Sequence, residues 1–360
     1  MLNWLLILVP VTVALEFLSP ESHTLIFAAA CLAIVPLAGW LGEATDQLSR
    51  YCGEGAGALL NATFGNAAEL ILGVMALRQG LYPIVKASLT GSIIGNILFV
   101  LGAAAVAGGL RHKEQSFNVG AARSQATLLT LASIAMIMPA AFSALAGPAA
   151  RISEGTLSVV ISAVLLAAYG LNLLFSLYTH RQWFQGERPP DPPSHRPWSV
   201  RKAILVLAAV TALLAWMSEI LVGSVEPAAR ALGMSRIFVG VIVVAVVGNA
   251  AEHSTAVIMA WRNRMELALG ISIGSSLQIA LFVAPLMVFA SHFVGPRPMD
   301  LVFTPAEVLA VFVAVLITGQ IAADGKSNWI EGVQLLAVYL ILALVFYLLP
   351  EVAGAGAAAP

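Results

Sequence analysis

Charge is scarce in this sequence, and its scarcity excludes more than any motif does. Only 10% of the 360 residues are charged, against about 25% in a soluble domain. The net charge of −1 offers no basic or acidic face, so nucleic acid is not expected as a partner. Cys31 and Cys52 are the only cysteines. The first lies in an apolar run and the second in a short loop, which excludes a disulfide framework and a thiolate metal site. None of the six histidines forms a His-x-x-x-His pair on a helix that carries acidic residues, which argues against a zinc hydrolase. Strand-like alternation of apolar and polar residues is absent. Leu2 to Leu18 has neither a positive flank nor a small-x-small cleavage pattern before Ser19-Pro20, so it reads as a first spanning helix rather than a signal peptide.

What is abundant is apolar sequence: 59% of residues are hydrophobic and the mean hydropathy is +0.91. A bilayer core needs roughly 20 apolar residues per helix, and unpaired backbone is not tolerated in hydrocarbon. Cutting the chain at charged and Pro/Gly clusters predicts an all-α integral membrane protein with about eleven spans, at 2–18, 23–42, 56–78, 84–109, 120–145, 154–179, 202–224, 236–261, 265–291, 302–323 and 329–349. Loops on one side carry twelve Lys and Arg (Arg50, Arg111, Lys113, Arg123, Arg181, Arg188, Arg196, Arg201, Lys202, Arg262, Arg264, Lys326). The other side carries six: Arg78, Lys86, Arg151, Arg230, Arg236 and Arg297. The positive-inside bias places the first group in the cytoplasm, with the N-terminus inside and the C-terminus outside. The compact loops and the absence of targeting extensions suggest a prokaryotic plasma membrane. A linker with Pro189, Pro190, Pro192, Pro193 and Pro197 separates the two halves. The expected organisation is a leading helix (1–22), a first five-helix unit (23–180), the linker (181–201), a second five-helix unit (202–350) and an Ala/Gly-rich tail (351–360).

The halves repeat one another. Gly65-Asn66-Ala67-Ala68-Glu69 recurs as Gly248-Asn249-Ala250-Ala251-Glu252, an offset of 183 residues. In the same ungapped register Gly91-Ser92 recurs as Gly274-Ser275, and Leu98-Phe99-Val100 as Leu281-Phe282-Val283. An odd number of spans per half inverts one unit relative to the other. The helix of Glu69 then runs outward while that of Glu252 runs inward, and inverted repeats place a binding site near the membrane midplane.

A carboxylate at a helix centre costs about 2.5–3.5 kcal/mol on insertion scales, so Glu69 and Glu252 at matched central positions call for a function. Asn66 and Asn249 precede them by three residues and share their helix faces, with Thr63 on the Asn66 side. Gly65 and Gly248 permit a local break that frees carbonyl oxygens. These oxygen donors suit a hard divalent cation such as Ca²⁺, which takes six to eight ligands, although they do not separate Ca²⁺ from Mn²⁺. Ser92 and Ser275, with Asn96 and Gln278 nearby, are candidate ligands or helix–helix hydrogen-bonding groups. His253 faces another way and reads as structural. Glu43 and Glu219 each end the first helix of their unit, as proton carriers or as groups that reach interfacial water, and Asp46 reads as solvated. Two carboxyls close together in a buried site tend to hold protons when it is empty, and a divalent cation displaces them.

At these motifs the chain resembles the Ca²⁺/cation antiporter superfamily, in its calcium/proton exchanger branch. Gly42-Glu43-Ala44-Thr45, Leu60-Asn61-Ala62-Thr63-Phe64, Lys86-Ala87-Ser88-Leu89 and Gly109 to Gln115 carry the resemblance in the first half. The second motif through His253, Gly274 to Phe282, and Asn328-Trp329-Ile330-Glu331-Gly332 carry it in the second. The resemblance implies a leading helix plus two inverted five-helix repeats, and exchange of Ca²⁺ for H⁺ with no cofactor. It also implies Glu69 and Glu252 as the central calcium pair, with Asn66, Asn249 and the motif backbone at Gly65 and Gly248 in support. Ser92, Ser275 and Gln278 match polar positions of neighbouring discontinuous helices, and Glu43 and Glu219 match acids on the ion route. The proline-rich linker departs from members with an acidic regulatory stretch there. A sodium-driven Ca²⁺ exchanger is the nearest alternative, though its motif pairs Pro with Glu whereas here each Glu follows Ala-Ala. A channel or a membrane-embedded enzyme fits two inverted halves less well.

Overall fold

The computed structural model describes residues 3–52, 57, 60, 63–147, 151–180, 183 and 198–349. It is helical almost throughout, and long apolar helices make the chain an integral membrane protein. A short helical lead-in at Asn3–Ile7 precedes α1 (Leu8–Leu18), which packs on α2 (His23–Ser49). Then follow α3 (Ala67–Arg78), α4 (Tyr82–Arg111), α5 (Val119–Ala146) and α6 (Ser153–Thr179). The second half has α7 (Val200–Ala231), α8 (Arg236–Gly248), α9 (Ala250–Trp261) and α10 (Met265–Val294), then α11 (Pro305–Ile321) and α12 (Trp329–Leu348).

Seven of these helices are long and apolar enough to cross a membrane, and α8 with α9 forms an eighth span bent by 63°. The expected spans 2–18 and 302–323 correspond to the shorter apolar helices Asn3–Leu18 and Pro305–Ile321. The start of 56–78 lies largely outside the described residues, as do most of the linker and the tail. Helices also outrun the apolar stretches that announce them. α2 continues to Ser49 and α7 to Ala231, because a helix in water at the membrane edge needs only its own hydrogen bonds to go on. Glu43 and Glu219 therefore lie inside helices, a correction to their expected place at helix ends.

Several helix starts carry side-chain caps. Asn118 accepts from the Ala121 N–H at 3.0 Å. Thr304 with Glu307, and Asn328 with Glu331, form reciprocal capping boxes. Outside the helices, a two-stranded antiparallel pair joins β1 (Gln115–Ser116) to β2 (Lys326–Ser327), in the register Gln115↔Ser327. Lys326 bonds Glu114 at 2.9 Å, and that hydrogen bond and charge hold its ammonium pKa above the ordinary range.

Contacts near the helix ends each join two segments that the charge count assigns to one group. Lys326–Glu114, the Tyr51 hydroxyl donating to the Trp198 carbonyl at 2.6 Å and Arg123 donating to the Ala323 carbonyl at 3.1 Å all join segments on the twelve-cation side. Lys86–Asp300 at 2.6 Å and the Tyr82 hydroxyl donating to the Arg297 carbonyl at 2.6 Å join segments on the other.

The packing has the exchanged symmetry of two repeats. The second part of α10 packs on α3, as the second part of α4 packs on α9. The helices that open the two halves, α2 and α7, pack along each other. Both α4 and α10 loosen into a wide π turn at matched places, Gly95–Val100 and Ile279–Val283. No residue type announces these turns, which replace the full breaks implied for the two helices, and such turns often mark functional positions. Ser276 donates to the carbonyl of Ile93, its own repeat mate, at 3.3 Å. A residue that touches its mate must sit near the pseudo-twofold axis, so the axis runs between α4 and α10.

Candidate functional site

Both repeated motifs fold as the glycines predict. Gly65-Asn66 interrupts the helix ahead of α3, and Asn249 is the break between α8 and α9. Each break makes Glu69 or Glu252 a first-turn residue of the helix that follows. There the positive end of the helix dipole favours an anion or an oxygen donor that holds a cation's charge in balance.

The amides show how the site is wired. Asn66 and Asn249 are fully or almost fully buried, at 0% and 2% exposure. The Asn66 amide NH₂ donates to the Gln278 side-chain oxygen, in the other repeat. The Asn249 NH₂ donates to Ser92 Oγ at 2.9 Å, also across the repeats, and to the Ala245 carbonyl at 2.9 Å. With the NH₂ groups engaged, the side-chain oxygens of both asparagines are buried without a hydrogen-bond donor among the described residues. A buried polar atom left unpaired costs about 1–3 kcal/mol, and here it occurs twice at repeat-related positions.

The carboxyls lie beside these oxygens. Glu69 is buried, and its Oε1 would stand 3.6 Å from a Cβ on Gly248, so the glycine leaves the carboxyl flush against the opposite motif. Glu252 accepts a hydrogen bond from Ser275 Oγ and is half-buried. The two carboxyls are near enough to act on each other electrostatically. The structure thus brings together Glu69, Glu252, Asn66, Asn249, Ser92, Ser275, Gln278 and Gly248 at the crossing of the repeats. Gly65 is exposed beside Asn66, and Thr63 lies two residues further back.

Glu43 and Glu219 have partners other than these residues. Glu43 accepts from Gln47 Nε2 at 2.9 Å, and Gln47 in turn accepts from the Trp198 N–H at 3.1 Å. Glu219 lines a separate cavity of about 440 Å³ with Glu16 and His23. Asp46 is exposed and pairs with Arg50 at 3.2 Å, as expected of a solvated acid.

Two polar groupings were not anticipated. His253 Nε2 lies 3.2 Å from Asn96 Oδ1, both buried, so the histidine packs behind Glu252 against the π turn of α4. Glu307 is buried at the start of α11, where Thr90 Oγ1 donates to it at 3.1 Å and Thr304 caps it. The run Thr304-Pro305-Ala306-Glu307 is a capping-box signature that could have located that carboxylate.

With this geometry in view, the comparisons with known proteins are specific. The chain matches the sodium/calcium exchanger protein family over residues 22–178 and 202–348. It is similar to the Ca(2+)/H(+) antiporter of Aphanothece halophytica, at 44% identity over 97% of this chain and 96% of that protein. Its likeness to the Ca(2+)/H(+) antiporter ChaA of Bacillus subtilis (strain 168) is 45% identity over 95% and 98% of the two chains. The crystal structure of the Ca2+/H+ antiporter protein YfkE superposes with a TM-score of 0.81 at 42% identity, covering 96% of this chain and 100% of that one.

Proposed function

The chain belongs to the sodium/calcium exchanger protein family, and from that premise we propose that it is a secondary transporter exchanging Ca²⁺ for protons across a membrane. The observation that carries the proposal is the pair of buried, unpaired amide oxygens on Asn66 and Asn249 beside Glu69 and Glu252. Two carboxylates and two neutral oxygens from inverted helices form a hard, oxygen-only donor set. Ca²⁺ accepts such a set at about 2.3–2.6 Å and completes its six to eight ligands from water, serine hydroxyls and motif carbonyls. Ca²⁺ is the cargo here, not a resident cofactor.

In this reading Glu69 and Glu252 bind either Ca²⁺ or protons. Ca²⁺ binding requires both carboxyls to be ionised, so the incoming ion expels whatever protons they hold. A buried pair carrying two negative charges and no cation is costly. Only the loaded forms, with Ca²⁺ or with protons, then move between the two sides, and exchange is obligatory. Ser92, Ser275 and Gln278 orient the ligands or complete the shell. Glu43 and Glu219 carry protons between the centre and the two surfaces. The chain works as two inverted units, 23–180 and 202–350, behind a leading helix, with the Arg262 side facing the cytoplasm of a prokaryotic plasma membrane and the N-terminus inside.

The test is Ca²⁺ uptake into proteoliposomes under an imposed pH gradient without Na⁺. Uptake driven by the gradient supports the proposal. Uptake only when Na⁺ is supplied would reassign the driving ion to the sodium-coupled alternative.

A further inference from the structure

A buried glutamine joins the start of the second half to an acid of the first. Gln47 on α2 is 2% exposed. Its Nε2 donates to Glu43 Oε1 at 2.9 Å, one helical turn back on the same face. Its Oε1 accepts from the backbone N–H of Trp198 at 3.1 Å, 151 residues away and just ahead of α7. A backbone N–H only donates, so the amide oxygen must face Trp198 and the NH₂ must face Glu43. The amide has one orientation, and Trp198 sets it.

Trp198 is itself held from several directions. It follows the last proline of the linker, Pro197, and precedes Ser199, whose hydroxyl caps α7. The Tyr51 hydroxyl donates to the Trp198 carbonyl at 2.6 Å, so both backbone polar groups of this residue are gripped by the first half. Its ring lies 5.9 Å from that of Trp40 on α2, and Lys202 Nζ stands 4.3 Å over its face. Trp40 Nε1 in turn donates to Asn3 Oδ1 at 3.2 Å.

This seat does more than join a linker to a helix. Ser199 already caps α7, and water could satisfy a half-buried N–H at the membrane edge. The Trp198 N–H instead meets a buried amide whose other end holds a carboxyl. Glu43 is half-buried, and the amide donor on its Oε1 leaves Oε2 as the oxygen that takes or gives up a proton. Neighbouring charges are engaged elsewhere: Asp46 bonds Arg50 at 3.2 Å, and Lys202 lies over the Trp198 ring.

We propose that Gln47 is a positioning residue for Glu43 and takes its orientation from the seat of Trp198. The end of the linker thereby sets an acid of the ion route. The inference rests on the transport reading above, in which Glu43 carries protons. Gln47 passes no proton itself; it holds the carboxyl where a proton can be passed. Displacing Trp198 frees the amide, and Glu43 with it.

The test uses the full chain with Gln47→Met, which nearly keeps the length of the side chain and removes both hydrogen bonds. The control, Thr211→Val, removes a side-chain hydrogen bond within α7. In proteoliposomes Gln47→Met should lower the maximal exchange rate about five-fold, the worth of one hydrogen bond. The KM for Ca²⁺ and the Ca²⁺-induced melting shift should stay at wild-type values. Trp198→Ala should match Gln47→Met, while Trp198→Phe, which keeps a ring in the seat, and Thr211→Val should match wild type. A wild-type maximal rate in Gln47→Met or Trp198→Ala, an equal loss in Thr211→Val, or a loss of Ca²⁺ binding alongside the rate overturns the proposal. A second readout needs no ion flux. In acid-minus-neutral infrared difference spectra of the ion-free protein, the Glu43 carboxyl C=O stretch is the band that Glu43→Gln removes. It should move to higher frequency in Gln47→Met, because the NH₂ no longer bonds that oxygen. An unmoved band, or none for Glu43→Gln to remove, overturns the proposal. If the wild-type protein moves no Ca²⁺, the transport reading fails while the infrared comparison still decides whether Gln47 holds Glu43.

Discussion

Asn249→Ala separates an amide kept for ligation from one kept for the fold. The Asn249 NH₂ makes two hydrogen bonds, to Ser92 Oγ and to the Ala245 carbonyl, each worth about 1 kcal/mol net. Its oxygen is buried and unpaired, which costs the empty protein about 1–3 kcal/mol. Ala245 keeps its backbone donor, the Asn249 N–H at 3.2 Å, and the vacated space adjoins the half-buried Glu252, where water can enter. Loss and relief nearly cancel, so the ion-free variant should melt within about 1 kcal/mol of wild type. The difference appears with Ca²⁺. At 100 times its dissociation constant a ligand stabilises by about 2.7 kcal/mol, and the variant, short of one neutral oxygen, should lose most of that gain at the same concentration. Thermal melts in detergent with and without Ca²⁺, repeated on Asn66→Ala, measure both terms. An ion-free variant destabilised by more than about 3 kcal/mol would make the amide structural. Full retention of the Ca²⁺-induced shift would remove its oxygen from the ligand set.

Three further outcomes follow from the same geometry. Glu69→Gln and Glu252→Gln should each abolish exchange while leaving a folded protein, since the amide keeps the shape and removes the charge; flux assays and melting curves check the two halves of that statement. Apparent Ca²⁺ affinity should rise with pH, its logarithm gaining up to about two units per pH unit where both carboxyls must release protons, as titration calorimetry in buffers of different ionisation enthalpy would measure; a pH-independent affinity contradicts proton displacement. Lys86→Met breaks the bond to Asp300 and the bond to the Val302 carbonyl at 2.8 Å, and should destabilise by about 1–3 kcal/mol with Ca²⁺ binding retained, read from melts in the presence and absence of the ion.

The centre of the site was legible because a five-residue identity repeated at one offset marks two places where the chain tolerates a costly acid. The partners of those acids were legible only as a set. Which amide meets which hydroxyl depends on helices crossing between repeats, so Asn66 finds Gln278 and Asn249 finds Ser92, over separations of 212 and 157 residues. Nothing local to either residue encodes that choice. Hydropathy located the spans but not the helix ends, because it reports the apolar slab rather than the hydrogen-bonded rod. For that reason Glu43 and Glu219 moved from helix ends to helix interiors. His253 read as structural from its facing alone, and its buried contact with Asn96 depends on the π turn at Gly95–Val100, which no residue pattern announces. Glu307 escaped notice since its cap was legible but its burial against Thr90 on α4 was not.

The most direct measurement of the central claim is Ca²⁺ flux in sodium-free proteoliposomes with the pH gradient set in either direction, for wild type and for Glu69→Gln with Glu252→Gln. The account predicts that flux reverses with the gradient and disappears in both variants. Flux that ignores the gradient, or that survives either substitution, would contradict exchange of Ca²⁺ and protons at the paired glutamates.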